Sequence, residues 1–374
     1  MEVLRSIRSE VLSALVSKIV LLAGPRQVGK TFLSKKIFTS YSYYNYDIIK
    51  DRKILRAGQW DRDGDLIIFD EIHKMKSWKS WLKGIYDGEG VRPPILVTGS
   101  ARLDIFRKGG DSLAGRHRLI RLHPFSVKEL NHLNPEIAVD RLIKNSGFPE
   151  PFFLKTEREV ALWRRSHLDV ILREDLLDLE KVRDIRNIEI LIDLLSERVG
   201  SSISYSSLAE DLSVSSHTVK HWIQILEYLN VVFIVHPYSK RLSKAIQKQP
   251  KIYFYDIGRV ENGDAAKIEN LCACHLLKRN NFLTDSKGEK RDLFYLRDKE
   301  KREVDFLTVK NQKIEYLIEV KSSDDHFSPS LNFYHQKLLP EMSIQLVYKL
   351  KHKQSLAKDK IIVKISDFLA GLET

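Results

Sequence analysis

Gly24, Pro25, Arg26, Gln27, Val28, Gly29, Lys30 and Thr31 follow directly on the apolar run Ile19 to Ala23 and lead into Phe32, Leu33, Ser34, Lys35, Lys36 and Ile37. A strand, a glycine-bounded loop and a helix opening at Lys30, in that order, form what a nucleotide's phosphate chain requires. The glycines let successive N–H groups curl inward, and the helix start adds partial positive charge. In such a loop Lys30 reaches the β- and γ-phosphates of ATP and Thr31 ligates Mg²⁺, with the stretch from Gly24 to Phe32 as the binding segment. The plainer alternative is a glycine turn between two core elements.

A second acidic site supports the first. Asp65, Leu66, Ile67, Ile68, Phe69, Asp70 and Glu71 place four apolar residues before two adjacent carboxylates. Open α/β sheets bind ligands at the carboxyl ends of their strands, so the pair is expected to face the phosphate loop. Asp70 would hold Mg²⁺, and Glu71 would orient or deprotonate the attacking water. Without the loop upstream, an Asp-Glu pair after a strand reads as a solvated turn.

Ile95, Leu96, Val97, Thr98, Gly99 and Ser100 make a third strand ending in small polar residues. Ser100 is expected to sense the γ-phosphate or the water; the alternative is a cap for the next helix. Downstream, Arg116 is the candidate finger for a transferring phosphoryl group, with Arg118 and Arg121 as rivals. Donation from a neighbouring copy would demand a ring or dimer, and the competing reading pairs these arginines with a carboxylate or with nothing.

The final hundred residues hold another constellation. Arg302 to Leu307 reads as a strand carrying Asp305, and Ile314 to Lys321 as a second strand after the polar turn at Asn311 and Gln312. Alternation puts Glu319 and Lys321 on one face of that second strand, and a hairpin would bring Asp305 beside them. Glu269 lies on an upstream helix. This set resembles the PD-(D/E)xK nuclease core, in which Asp305, Glu319 and Glu269 would bind a second Mg²⁺ or Mn²⁺ and Lys321 would orient or deprotonate water.

The strings GPRQVGKT, IIFDEIHKM with Trp78 and Trp81 behind it, VTGSARLD, SLAGRHRLIRLHPFSVKEL and GFPEPF resemble, in that order, a widespread group of prokaryotic AAA-type ATPases. That group joins an AAA domain to a C-terminal domain of unknown function. LREDL, KIYFYDIG, EVDF and IEVK extend the resemblance over nearly the whole chain. It implies an ATP-binding core related to origin-recognition and signal-transduction NTPases, with Gly147 and Pro149 near the adenine. The group often carries serine where Ala101 stands and glutamine where His73 stands.

The elements that must position these groups follow. Strands are expected at Ile19 to Ala23, Ser42 to Tyr46, Leu66 to Phe69, Ile95 to Thr98 and Arg118 to Leu122, alternating with helical segments as in an α/β doubly wound P-loop core over residues 1–130. Residues 131–187 read as a helical lid or connector, in which Glu157 to Glu180 carries a buried stripe of Val160, Trp163, Leu168, Ile171, Leu172 and Leu176. Residues 188–258 read as a winged helix-turn-helix whose second helix, Ser216 to Leu229, exposes Ser215, Ser216, His217, Lys220 and Gln224. The wing would be Val231 to Val235 and Lys251 to Tyr255, with basic Lys240, Arg241, Lys244 and Lys248 between. Residues 259–374 read as an α/β restriction-endonuclease-like domain.

At 374 residues, with 43% hydrophobic residues, the chain exceeds one ordinary domain and can bury two or three cores. No apolar run approaches the roughly 20 residues of a membrane span, and acidic Glu2 and Glu10 argue against a signal peptide, so a cytoplasmic protein with no membrane partner is expected. Cys272 and Cys274, one residue apart, lack the spacing and partners of a zinc site. The net charge of +12 favours a polyanionic partner, DNA before membrane. The leading expectation is a Mg²⁺-dependent ATPase, binding ATP and ADP, that couples nucleotide state to a DNA-binding C-terminal region, with DNA cleavage by that region as its further version. The alternative is a nucleotide-controlled switch or scaffold that recruits a protein partner and carries a silent nuclease-like domain.

Overall fold

Ile19–Ala23 is apolar and buried at every position, the mark of a strand covered on both faces. In the computed structural model, which describes residues 3–99, 113–176, 184–239 and 249–374, this strand lies inside the sheet of the first of two units, Met1–Pro124 and Phe125–Thr374. The first unit's strands are β1 (Ile19–Ala23), β2 (Ser42–Asn45), β3 (Ile67–Asp70), β4 (Ile95–Thr98) and β5 (His117–Arg121). They form a parallel sheet in the order β2-β3-β4-β1-β5. The three inner strands are buried throughout, whereas β2 and β5 are only partly so, as edge positions allow.

Helix α1 (Arg8–Leu15) precedes β1, and α2 (Lys30–Lys35), α3 (Ile49–Ala57) and α4 (Trp78–Glu89) join β1 to β4 in turn. Leu55 of α3 and Trp78, Leu82 and Ile85 of α4 pack on one sheet face with Leu21, Phe69 and Val97. Val20, Leu22, Ile68 and Leu96 on the opposite face are equally shut from water. The α/β core follows from strand and helix periods agreeing with burial.

The second unit begins with α5 (Pro135–Asn145), α6 (Pro149–Phe153) and α7 (Glu157–Val170). Thr156 and Glu159 close a reciprocal capping box at the start of α7. The expected stripe along this helix is corrected at one position. His167 is buried and Leu168 is not, because His167 stacks on Trp163, four residues earlier on the same face, at 4.6 Å. Beyond Val170 the helix widens into a π-turn over Ile171–Asp175, which keeps Ile171 and Leu172 buried.

Next come α8 (Ile185–Ser196), α9 (Tyr205–Leu212) and α10 (Ser216–Tyr228). Ser204 and Ser215 cap the last two through their side chains, and Ser213, at φ +54°, makes the tight turn between them. A hairpin of β6 (Val232–Pro237) and β7 (Lys251–Phe254) follows. The basic positions Lys240, Arg241, Lys244 and Lys248 lie outside the described residues.

The long helix α11 (Gly263–Lys287) precedes β8 (Arg291–Arg297), β9 (Glu303–Lys310) and β10 (Lys313–Lys321). Then α12 (Pro329–Leu338), β11 (Met342–Val347), β12 (Gln354–Ala357), β13 (Lys360–Lys364) and α13 (Ile365–Gly371) complete the chain's elements. The sheet has eight strands in the order β12-β13-β11-β10-β9-β8-β6-β7. Asn311 and Gln312, both at positive φ, form the expected turn of the β9–β10 hairpin. The β6–β7 hairpin is no free-standing wing. His236 and Pro237 pair with Phe294 and Tyr295, so it extends the edge of this sheet. Asn270 of α11 bonds both main-chain groups of Phe254 at 2.8 Å, covering the outer edge of β7.

Among the described residues, no helix is long and apolar enough to cross a membrane.

Candidate functional site

The loop after β1 is shaped by backbone conformations that few side chains tolerate. Gly24 sits at φ +150° and Gly29 at φ +98°, and Gln27 adopts φ +60° between them. A Cβ on Gly24 would lie 2.2 Å from the Leu122 carbonyl oxygen, where the chain leaves β5. Only glycine lets the loop run that close to its neighbour. Lys30, buried at the start of α2, folds back over the loop and donates to the Gly24 and Pro25 carbonyls at 2.9 and 2.7 Å.

Strand order brings the acidic pair to this loop. β4 lies between β1 and β3, so the end of β3 stands two strand spacings, about 10 Å, from the end of β1. The Thr31 hydroxyl crosses to Asp70 Oδ2 at 2.9 Å. Tyr43 from β2 donates to the same oxygen at 2.7 Å, and the Thr98 hydroxyl donates to Oδ1. Burial and the hydrogen bond to Asp70 hold the Tyr43 phenol well above its usual range. Asp70 is thus a buried carboxylate approached by three hydroxyls. A hydroxyl beside a carboxylate is the oxygen donor pair that Mg²⁺ takes in phosphate sites, so these residues fit the ion.

Glu71 follows in the left-handed region, at φ +55°, with its N–H bonded to the Thr98 carbonyl at 3.0 Å. The chain thus leaves the extended conformation of β3 at Glu71, directly after Asp70. Burial, reinforced by the charge of Asp70, pushes the Glu71 carboxyl up to about 7. Lys74 Nζ, at 3.8 Å, pulls the other way.

One expected residue stands away from the loop, one lies outside the described residues and one belongs to the second unit. Arg116 precedes β5, and its carbonyl accepts from Ile19, at the start of β1. The phosphate loop leaves the other end of β1, about 13 Å along the strand. The structure therefore does not bring Arg116 to its own chain's loop; it forks onto Asp87 at 2.6 and 3.2 Å, the carboxylate pairing that was the competing reading. Arg121, paired with Ala23, is the rival at the correct end. Ser100 lies outside the described residues. Pro149 opens α6 in the second unit.

The second unit gathers the C-terminal constellation. Arg279 clamps Glu315 at 2.9 and 2.8 Å, fixing α11 against β10. Although burial opposes it, Arg279 and Arg291 hold the Glu315 carboxyl down at about 2. One residue before the Asn270 clamp, Glu269 points at β7 and β9. Tyr253 donates to Glu269 Oε1 at 2.6 Å, and Asp305 Oδ2 accepts from the Val320 N–H at 2.9 Å. Lys321 Nζ lies 2.7 Å from Glu319 Oε1. Burial and the charge of Asp305 push Glu269 and Glu319 up to about 7.

Lys251 was not anticipated. Its side chain is 1% exposed, and its ammonium reaches Glu303 at 2.7 Å, Glu269 at 3.2 Å and Asp305 at 3.5 Å. Burial opposes its charge, but those carboxylates together hold it well above the usual lysine range. Period-two reading of β9 places Glu303 on the face of Asp305, and the same reading of β7 pairs Lys251 with Tyr253. Nothing local to either strand says that the two faces meet. Tyr43 was missed for the same reason. Among the described residues, the oxygens of Glu269, Asp305 and Glu319 do not all come within 4.8 Å of one another; only exposed Asp324, Asp325 and His326 form such a group. These three carboxylates do not fit a shared divalent ion.

Ser215, Ser216, His217, Lys220 and Gln224 are exposed on and just before α10, as their spacing predicts. Cys272 is buried, and Cys274 donates to the Phe254 carbonyl at 3.2 Å.

Comparison with known proteins adds three family matches. A family described as an AAA domain matches residues 16–131, and two domains of unknown function, DUF8612 and DUF4143, match residues 137–262 and 265–368. The first match supports an AAA-type, nucleotide-binding ATPase core. An uncharacterised protein of Mycobacterium tuberculosis is 27% identical over 64% of this chain and 54% of its own length. The chain thus spans about half the length of that relative. An uncharacterised protein of Methanocaldococcus jannaschii is 23% identical over 78% of this chain and 72% of its own length. Among solved structures, the Aeropyrum pernix ORC1 protein in complex with DNA aligns at 14% identity and TM-score 0.30, covering 72% of this chain and 94% of that one. A Thermotoga maritima RuvB aligns at 18% and TM-score 0.32, covering 65% and 94%.

Proposed function

We propose that the chain is a Mg²⁺-dependent ATPase whose nucleotide state is transmitted to a DNA-facing C-terminal unit. The observation that carries this reading is the bond from Thr31 to Asp70, beside a carboxylate, Glu71, raised to about 7. Lys30 would turn from the Gly24 and Pro25 carbonyls to the β- and γ-phosphates of ATP. Mg²⁺, held by the Thr31 hydroxyl and Asp70, would neutralise charge on those phosphates. Glu71 would take a proton from water as its oxygen attacks the γ-phosphorus and the bond to the bridging oxygen breaks, releasing ADP. Arg116, at the far end of β5, would serve a neighbouring copy, which asks for a dimer or ring. Pro149, beside Gly147, is assigned to the adenine by family resemblance alone.

In the second unit, α9 and α10 with the β6–β7 hairpin are read as a winged helix-turn-helix, and β8 to β13 with α11 as a PD-(D/E)xK-like sheet. His217, Lys220 and Gln224 would meet DNA. Calorimetry tests the root of this reading. Mg·ATP should bind the full chain and lose affinity in Lys30→Ala; no heat of binding for ATP or ADP with Mg²⁺ present would end it.

One observation favours the partner-recruiting alternative for the second unit: the acidic cluster is filled by protein donors. DNA binding measured against salt, with an ATP analogue and with ADP, separates the two. A steep slope that depends on nucleotide supports the DNA-facing reading, and a shallow slope indifferent to nucleotide supports the alternative.

A further inference from the structure

We propose that the ammonium of Lys251 is the resident cation of the C-terminal acidic cluster, so that this unit keeps a nuclease-like arrangement of carboxylates without a divalent metal and does not cut phosphodiesters. The proposal extends the reading of the second unit given above and is independent of nucleotide turnover.

Lys251 starts β7 with its side chain 1% exposed, and three carboxylates converge on its Nζ from α11 and β9. An ammonium carries three donors, and here it meets three acceptors. The Tyr295 ring, 5.5 Å from Nζ, closes another side with its π-face. Such a charge stays in a dry site only when fully paired.

Protein donors take most of the carboxylate oxygens. Glu269 Oε1 takes Tyr253 and Lys251, and its Oε2 faces Gly200, where even a Cβ would stand 2.7 Å away. Asp305 Oδ1 faces Lys251 and Oδ2 takes the Val320 N–H. Glu303 takes Lys251 and Arg297, the latter at 3.3 Å. Glu319 Oε1 takes Lys321, and Glu319 Oε2 is buried without a hydrogen-bond partner. Mg²⁺ keeps several waters and is held by one or two carboxylates. Here the place between the carboxylates is taken by a buried ammonium, and the remaining buried oxygen of Glu319 has Lys321 on its own carboxylate.

The test is a Mn²⁺ titration of the nucleotide-free full chain, followed by electron paramagnetic resonance, in an Asp70→Asn background that removes the N-terminal donors. The expected result is no Mn²⁺ whose signal depends on Asp305 or Glu319, any ion at exposed Asp324, Asp325 and His326 being unaffected by those substitutions. A bound ion that disappears on Asp305→Asn or Glu319→Gln would overturn the proposal, as would Mn²⁺-dependent DNA nicking lost in Asp305→Asn. A second arm uses Lys251→Met in the same background. It should be less stable than its parent in EDTA and be restored by Mn²⁺ bound through Asp305. If it is as stable as its parent and takes no ion, the cluster needs no cation and the proposal fails. Should Lys251→Met not fold, the titration of the lysine-bearing chain decides. Loss of ATP binding would refute the nucleotide reading and leave this result untouched.

Discussion

The Thr31 hydroxyl donates to Asp70 Oδ2 at 2.9 Å, across a strand that lies between the two segments carrying them. The loop and the acid therefore belong to one site. Glu71, the next residue, sits in the left-handed region at φ +55°, and burial with the charge of Asp70 raises its carboxyl.

Glu71→Gln should keep nucleotide affinity while turnover falls by about 10²- to 10⁴-fold, the usual contribution of a general base. Calorimetry and phosphate release from the same preparation check this. Unchanged turnover would remove Glu71 from the role of base.

The raised carboxyl also predicts a pH dependence. Glu71 must be ionised to accept a proton, so kcat/KM should rise with pH through a midpoint near 7, far above the ordinary glutamate value of about 4.3. The stability sign is the reverse. A group that binds its proton more tightly when folded favours the native state at low pH, and that advantage disappears as pH climbs from the ordinary value to about 7. Glu71→Gln should thus melt higher relative to wild type at pH 8 than at pH 5. Equal differences at both would contradict the assigned shift.

Gly24→Ala should destabilise the first unit by at least about 2 kcal/mol, since the added methyl meets a backbone oxygen and the backbone sits at positive φ. The clash is with Leu122, 2.2 Å from the ideal Cβ position. Denaturant midpoints measure the loss, and nucleotide binding should fall with it. A variant as stable as the parent would mean that β5 and the loop are not so closely apposed.

On the exposed face of α10, Lys220→Ala should weaken DNA binding about equally for all sequences and lower the salt slope by about 1. His217→Ala should change sequence preference more than the slope. Fluorescence anisotropy over a salt series reads both, and no effect from either would move the DNA surface off this helix.

Much of the protein was legible in one dimension. The loop from Gly24 to Thr31, the acids Asp70 and Glu71, the inner strands and the serine-capped helix pair all depend on neighbours within a few residues, where periodicity, glycine freedom and capping act. The β9–β10 hairpin belongs to the same class, since its turn residues set the register. Strand order and long-range register decided the rest. Arg116 and Arg121 are equivalent in sequence, yet parallel pairing of β5 with β1 puts them at opposite ends of the sheet. Lys251 reads as an ordinary charge at a strand's edge until β7, β9 and α11 are assembled around it. Such contacts join segments tens of residues apart, and no local pattern encodes which faces will meet; only the packed chain, through the cost of leaving a buried charge unpaired, settles that Lys251 and its carboxylates share one site.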